Sequence, residues 1–76
     1  MTSISPTHMF FGQYVRKLRK ERKLLQSELA DLADLNRTYI GFIEQGKTNP
    51  SVSTMVRIAK ALKTPLADFF PYDLSV

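Results

Sequence analysis

The chain has no cysteine and no tryptophan among its 76 residues. Without cysteine there is no disulfide framework, no thiolate nucleophile and no zinc–thiolate centre. That usage fits a reducing compartment. His8 is the only histidine, so imidazole chemistry has a single candidate near the start of the chain. No Ser/His/Asp set, carboxylate pair or phosphate-cradling glycine loop stands out, and the spacing of Asp31 and Asp34 reads as surface acids rather than metal ligands. The expectation is a non-enzyme with no metal and no cofactor. No apolar run approaches the roughly 18 residues that span a bilayer. The opening MTSISPTHMFF holds no early Lys or Arg and no apolar h-region, so no secretory signal is expected. A cytoplasmic protein without a membrane partner is the consistent reading.

Acids are scarce relative to bases. Eleven Lys and Arg against seven Asp and Glu leave a net charge of +4 and a pI near 9.7. That balance favours a polyanionic partner without naming one. Six of the eleven bases are Arg16, Lys17, Arg19, Lys20, Arg22 and Lys23, interrupted by Leu18 and by a single acid, Glu21. Such a run is either a solvated helix face or a flank facing phosphates. Length predicts one small domain, residues 1–76, burying only about 60% of its unfolded surface. A hydrophobic fraction of 43% suits a packed globule rather than a disordered chain.

What is present is helical periodicity, with no strand alternation and no repeat. Residues 1–5 read as a frayed end. Ser5-Pro6 offers an N-cap and a first-turn proline, and Phe11, Val15 and Leu18 form a buried stripe with Tyr14 at its edge and Leu24 closing it. Leu29, Ala33, Ile40 and Ile43 line two short helices, Ala30 is small where they would cross, and Leu35 plugs the bend at Asp34. Asn36 is a strong N-cap for the third helix. GKTNP is a turn, Ser51 or Ser53 caps a fourth helix with Met55, Ile58, Ala59 and Leu62 inward, and Thr64-Pro65 opens a fifth. The predicted helices cover about 6–23, 26–33, 37–44, 52–62 and 65–70. A brace helix followed by an outward one, on a basic domain, suggests a reader of the DNA major groove.

Three segments, VRKLRKERKLLQSELA, LNRTYIGFIEQGKTNPSV and MVRIAKALKTPLADFF, together resemble the phage-repressor or Xre-type helix-turn-helix family of Cro-like and lambda-repressor-like domains. The resemblance covers about Phe11 to Phe69. LNRTYI looks most like the controller proteins of restriction–modification systems. It implies an all-α, five-helix DNA-binding domain acting as a transcriptional regulator. Two positions depart from the family pattern. Leu25 stands where a Ser or Thr normally caps the second helix, leaving that cap missing or moved to Ser27. Asp34 stands where the bend normally has glycine.

On the outward face of the third helix, Arg37, Thr38, Gly41 and Phe42 are the candidate base contacts. Arginine pairs bidentately with guanine, threonine donates, accepts or touches a thymine methyl, and Gly41 leaves room for the bases. Phe42 either meets thymine methyls or folds back on a core edge. Tyr39 either reaches a phosphate or base step or packs on the turn. The resemblance adds Gln26, at a helix N-terminus, as a phosphate contact, with Lys47, Thr48 and Asn49 on the following loop and Ser53 as a weaker member. It also implies an internal Arg19–Glu44 salt bridge. A homodimer reading half-sites ~34 Å apart follows from the small footprint of one helix, and Val56, Leu66, Phe70 and Tyr72 are its candidate interface. RNA polymerase is a further candidate partner through Glu28, Asp31 and Asp34. A protein-interaction module of the same fold and an autorepressing antitoxin are the alternatives.

Overall fold

The computed structural model describes residues 6–70, which leaves the Ser5 cap and Tyr72 outside the described residues. Four α-helices, α1 (Pro6–Glu21), α2 (Gln26–Ala33), α3 (Arg37–Glu44) and α4 (Val52–Ala61), precede a 3₁₀ turn at Leu66–Phe69. The all-α class and the bounds of α2 and α3 agree with the sequence. The fifth helix does not: it is one tight turn. Thr64 does not cap it: the cap position is Pro65, no side chain caps the turn, and the Thr64 hydroxyl donates back to the Leu62 carbonyl at 3.0 Å. Phe70 lies in extended backbone at φ −120°, ψ 138°, the conformation that a following proline, Pro71, favours.

α1 stops two residues short of the predicted end. Lys23 takes φ 56°, and the Lys23 and Leu24 amides donate back to the Lys20 and Arg19 carbonyls. The same left-handed closure ends α2 at Asp34, α3 at Gly46 and α4 at Lys63. This is the Schellman arrangement, which pairs carbonyls that a helix end otherwise leaves exposed. Only Gly46 adopts it without a Cβ penalty. The guanidinium of Arg57, on α4, reinforces the α2 closure, donating to the Ala33 carbonyl at 3.1 Å and to the Asp34 carbonyl. Its ion pair with the Asp34 carboxylate, at 3.5 Å between exposed groups, adds little.

The core is one cluster. Phe11, Val15 and Leu18 of α1 meet Leu29, Ala30 and Ala33 of α2, Ile40 and Ile43 of α3, Met55, Ile58 and Ala59 of α4, and Leu62 and Phe69 beyond it. Leu24, Leu35 and Tyr14 pack against it half-buried. Phe11 and Tyr14 both contact the Phe69 ring, at centroid distances of 5.1 and 5.2 Å, which fastens the 3₁₀ turn to α1. α3 is packed by both α1 and α2. Its place in the molecule is therefore set from two sides.

At the start of α2 the N-cap is Leu25, which offers no side-chain acceptor; Ser27 does not take over. Half of a capping box is nevertheless built: Glu28 Oε1 accepts the Leu25 N–H at 2.7 Å. The Leu25 side chain is 65% exposed, so little burial is lost by changing it. Leu25→Ser should supply the missing half and stabilise the domain by about 1 kcal/mol. Thermal unfolding should show a rise in Tm of about 4–8 °C; an unchanged or lower Tm would refute this account of the cap.

Candidate nucleic-acid interface

α3 starts sharply. Asn36 Oδ1 accepts the Thr38 N–H at 2.7 Å, which makes Arg37 the first helical residue. Burial of Ile40 and Ile43 then fixes the rotation of the helix. Arg37 and Thr38 are exposed. Phe42 is 46% exposed, so it lies on the outward face and does not fold into the core. With Gly41, Gln45 and Gln26 of α2, these residues line a shallow concavity of about 360 Å³. A second one, about 320 Å³, adjoins it and is lined by Arg19, Leu25, Gln26, Ser27 and Arg37. Gln26 and Arg37 belong to both.

Beneath this surface lies a buried ion pair. Arg19 donates through Nε to Glu44 Oε2 at 2.6 Å and through Nη2 to Oε1 at 3.0 Å. Its Nη1 donates to the Leu24 carbonyl at 2.7 Å. The two side chains are only 11% and 2% exposed. The pair implied by the family resemblance is thus present, and Arg19 is withdrawn from the surface charge of α1. Arg16, Lys17, Lys20, Arg22 and Lys23 remain exposed, with Arg22 held to Thr64 Oγ1 at 3.1 Å. Gln26 joins the network, its Nε2 donating to Glu44 Oε1 at 3.2 Å.

Other expected contacts lie apart from the concavities. Tyr39 is half-buried and packs against the core. Lys47, Asn49 and Ser53 are exposed and Thr48 is half-buried. Ser53 shares a hydroxyl hydrogen bond with Ser51 at 3.1 Å, and Ser51 caps α4 by accepting the Thr54 N–H. Val56 is half-buried. Leu66 and Phe70 pack against the monomer core, Phe70 stacking on Phe11 at 6.1 Å. Gln45 was not among the expected contacts. Its signal was available, since Arg37, Gly41 and Gln45 follow one another at four-residue spacing on one helix face.

Among the described residues no group of His, Cys, Asp or Glu could hold a metal ion, and no helix is long and apolar enough to cross a membrane. A short brace helix, a sharp turn and a second helix with a polar outward face define a helix-turn-helix. The chain belongs to the HTH_3 helix-turn-helix family, whose model matches residues 15–69. It is 48% identical over 54 residues to the immunity repressor protein of Bacillus phage phi105, a match covering 71% of this chain and 38% of that one. The chain thus spans well under half the length of that relative. Among solved structures it is similar to the restriction–modification controller protein C.AhdI of Aeromonas hydrophila, with a TM-score of 0.80 and 36% identity over 83% of this chain and 96% of that one. It is also similar to the controller protein C.Esp1396I, solved as a tetramer with its natural 35 base-pair operator, with a TM-score of 0.79, 29% identity and 86% coverage of each chain.

Proposed function

We propose that the protein is a cytoplasmic, sequence-specific double-stranded DNA-binding regulator of transcription, acting as a homodimer on a palindromic operator in the manner of phage repressors and restriction–modification controllers. The observation that carries this is the outward face of α3, where Arg37, Thr38, Gly41, Phe42 and Gln45 are presented together by a helix locked from behind. Arg37 pairs with guanine, and Thr38 and Phe42, one helical turn apart, meet a thymine methyl. The Tyr39 hydroxyl is left to a phosphate or a neighbouring base step, its ring being on the core side. Lys47, Thr48, Asn49 and Ser53 take the backbone. Val56 and the uncovered edges of Leu66 and Phe70 form the dimer contact, with Tyr72 beyond the described residues as a further member. Contact with RNA polymerase falls on Asp31 and Asp34, whose side chains are exposed, because Glu28 is engaged at the Leu25 amide.

Selection of bound duplexes from a random pool tests the reading: a palindromic consensus is expected. Arg37→Ala should then relax preference at one position per half-site by about 1–3 kcal/mol. Lys47→Ala should weaken binding to all sequences alike and lower the salt slope by about 1. The opposite assignment of effects would overturn these roles. The half-exposed Phe42 favours one second reading, a protein-interaction surface, and absence of duplex binding even at low salt would establish it over the first.

A further inference from the structure

We propose that Gln26 reads an adenine in the major groove through the gap that Gly41 leaves in α3, so that a residue of the brace helix takes part in sequence recognition. This rests on the DNA-reading assignment above. The Gln26 amide lies beside the outward face of α3: a Cβ built at Gly41 would stand 3.7 Å from Gln26 Oε1 and 3.8 Å from Nε2. Any longer side chain at position 41 would cover the amide. With glycine there, Gln26 lines the same concavity as Arg37, Thr38, Phe42 and Gln45.

The orientation of the amide is fixed by chemistry. Nε2 donates to Glu44 Oε1 at 3.2 Å. A carboxylate only accepts, so the reversed amide would set two acceptors against each other. Glu44 itself does not swing, because Arg19 holds both of its oxygens. When Glu44 takes the N–H trans to Oε1, the amide presents Oε1 and its cis N–H side by side. That acceptor–donor pair complements the N6 amino donor and N7 acceptor of adenine, the usual partner of a glutamine amide. A phosphate offers acceptors alone and would leave Oε1 unmatched.

The test uses the full chain and the duplex selected by the wild-type protein. Each adenine is replaced in turn by purine, which lacks the N6 amino group, and by 7-deazaadenine, which lacks the N7 acceptor. One adenine per half-site should lose about ten-fold in wild-type affinity with either replacement. Gln26→Ala and Gln26→Met, which leave the Arg19–Glu44 pair in place, should be indifferent to both replacements at that position. A wild-type protein insensitive to every replacement would overturn the inference while leaving DNA reading intact. So would variants that stay as sensitive as the wild type at each adenine. Selection of no consensus at all would remove the DNA-reading assignment and this inference together.

Discussion

Gly12→Ala is expected to cost about 3 kcal/mol of folding stability, although it adds a single methyl group to a helix. Gly12 is buried in α1 where that helix crosses the end of α3. A Cβ there would stand 2.0 Å from the Ile43 carbonyl oxygen and 3.1 Å from its carbon. Both are backbone atoms, so no side-chain rotation relieves the clash; the helices must part by roughly an ångström. Parting them withdraws Phe11 and Val15, both fully buried, from their neighbours. Alanine favours a helix over glycine by about 1 kcal/mol, which offsets only part of this. The end of α3 would also carry Glu44 with it, loosening the amide of Gln26. Urea or thermal unfolding measures the effect, and a variant melting within a degree or two of the wild type would show that α1 slides over α3 without penalty.

That crossing shows where the sequence was silent. The bounds of α2 and α3 were legible because local signals agreed: apolar spacing, the Asn36 cap and the turn chemistry around Gly46. The outward face of α3 was legible for the same reason, since burial of Ile40 and Ile43 leaves only one side for Arg37, Thr38, Gly41 and Phe42. Gly12 carried no such signal. A glycine inside a helical pattern reads as a weak spot, and only the approach of another backbone, 31 residues on, gives it a purpose. Arg57 was equally opaque, because its partners are carbonyls of a different helix end. The end of α1 was misjudged because Lys23 does what glycine usually does, as Lys63 does after α4; a lysine near a helix C-terminus gains from the macrodipole, which offsets part of its left-handed strain. The Arg19–Glu44 pair, 25 residues apart, was reachable only through family resemblance.

That pair sets the second large effect. Glu44→Ala should destabilise the domain by about 3–5 kcal/mol, the usual consequence of leaving one partner of a buried ion pair uncompensated. Arg19 would keep only the Leu24 carbonyl as a partner, with its side chain 11% exposed. A 76-residue domain has roughly 4–11 kcal/mol of stability in total, so the loss approaches the whole. Tm should fall by more than about 12 °C. Two controls separate unpaired charge from lost packing. Glu44→Gln keeps a hydrogen-bonding group of the same shape and should lose less than alanine does. Arg19→Met combined with Glu44→Leu removes both charges and fills the space, and should be more stable than Glu44→Ala alone, because buried ion pairs contribute little net stability over apolar residues of similar volume. If the double variant is less stable than Glu44→Ala, the charge is not what Glu44 neutralises. If Glu44→Ala melts with the wild type, Arg19 reaches water at no cost and the pair does not hold α1 to α3. The double variant also separates folding from reading: it retains the core while Gln26 loses the carboxylate that orients its amide, so a folded protein with relaxed adenine preference is the expected result.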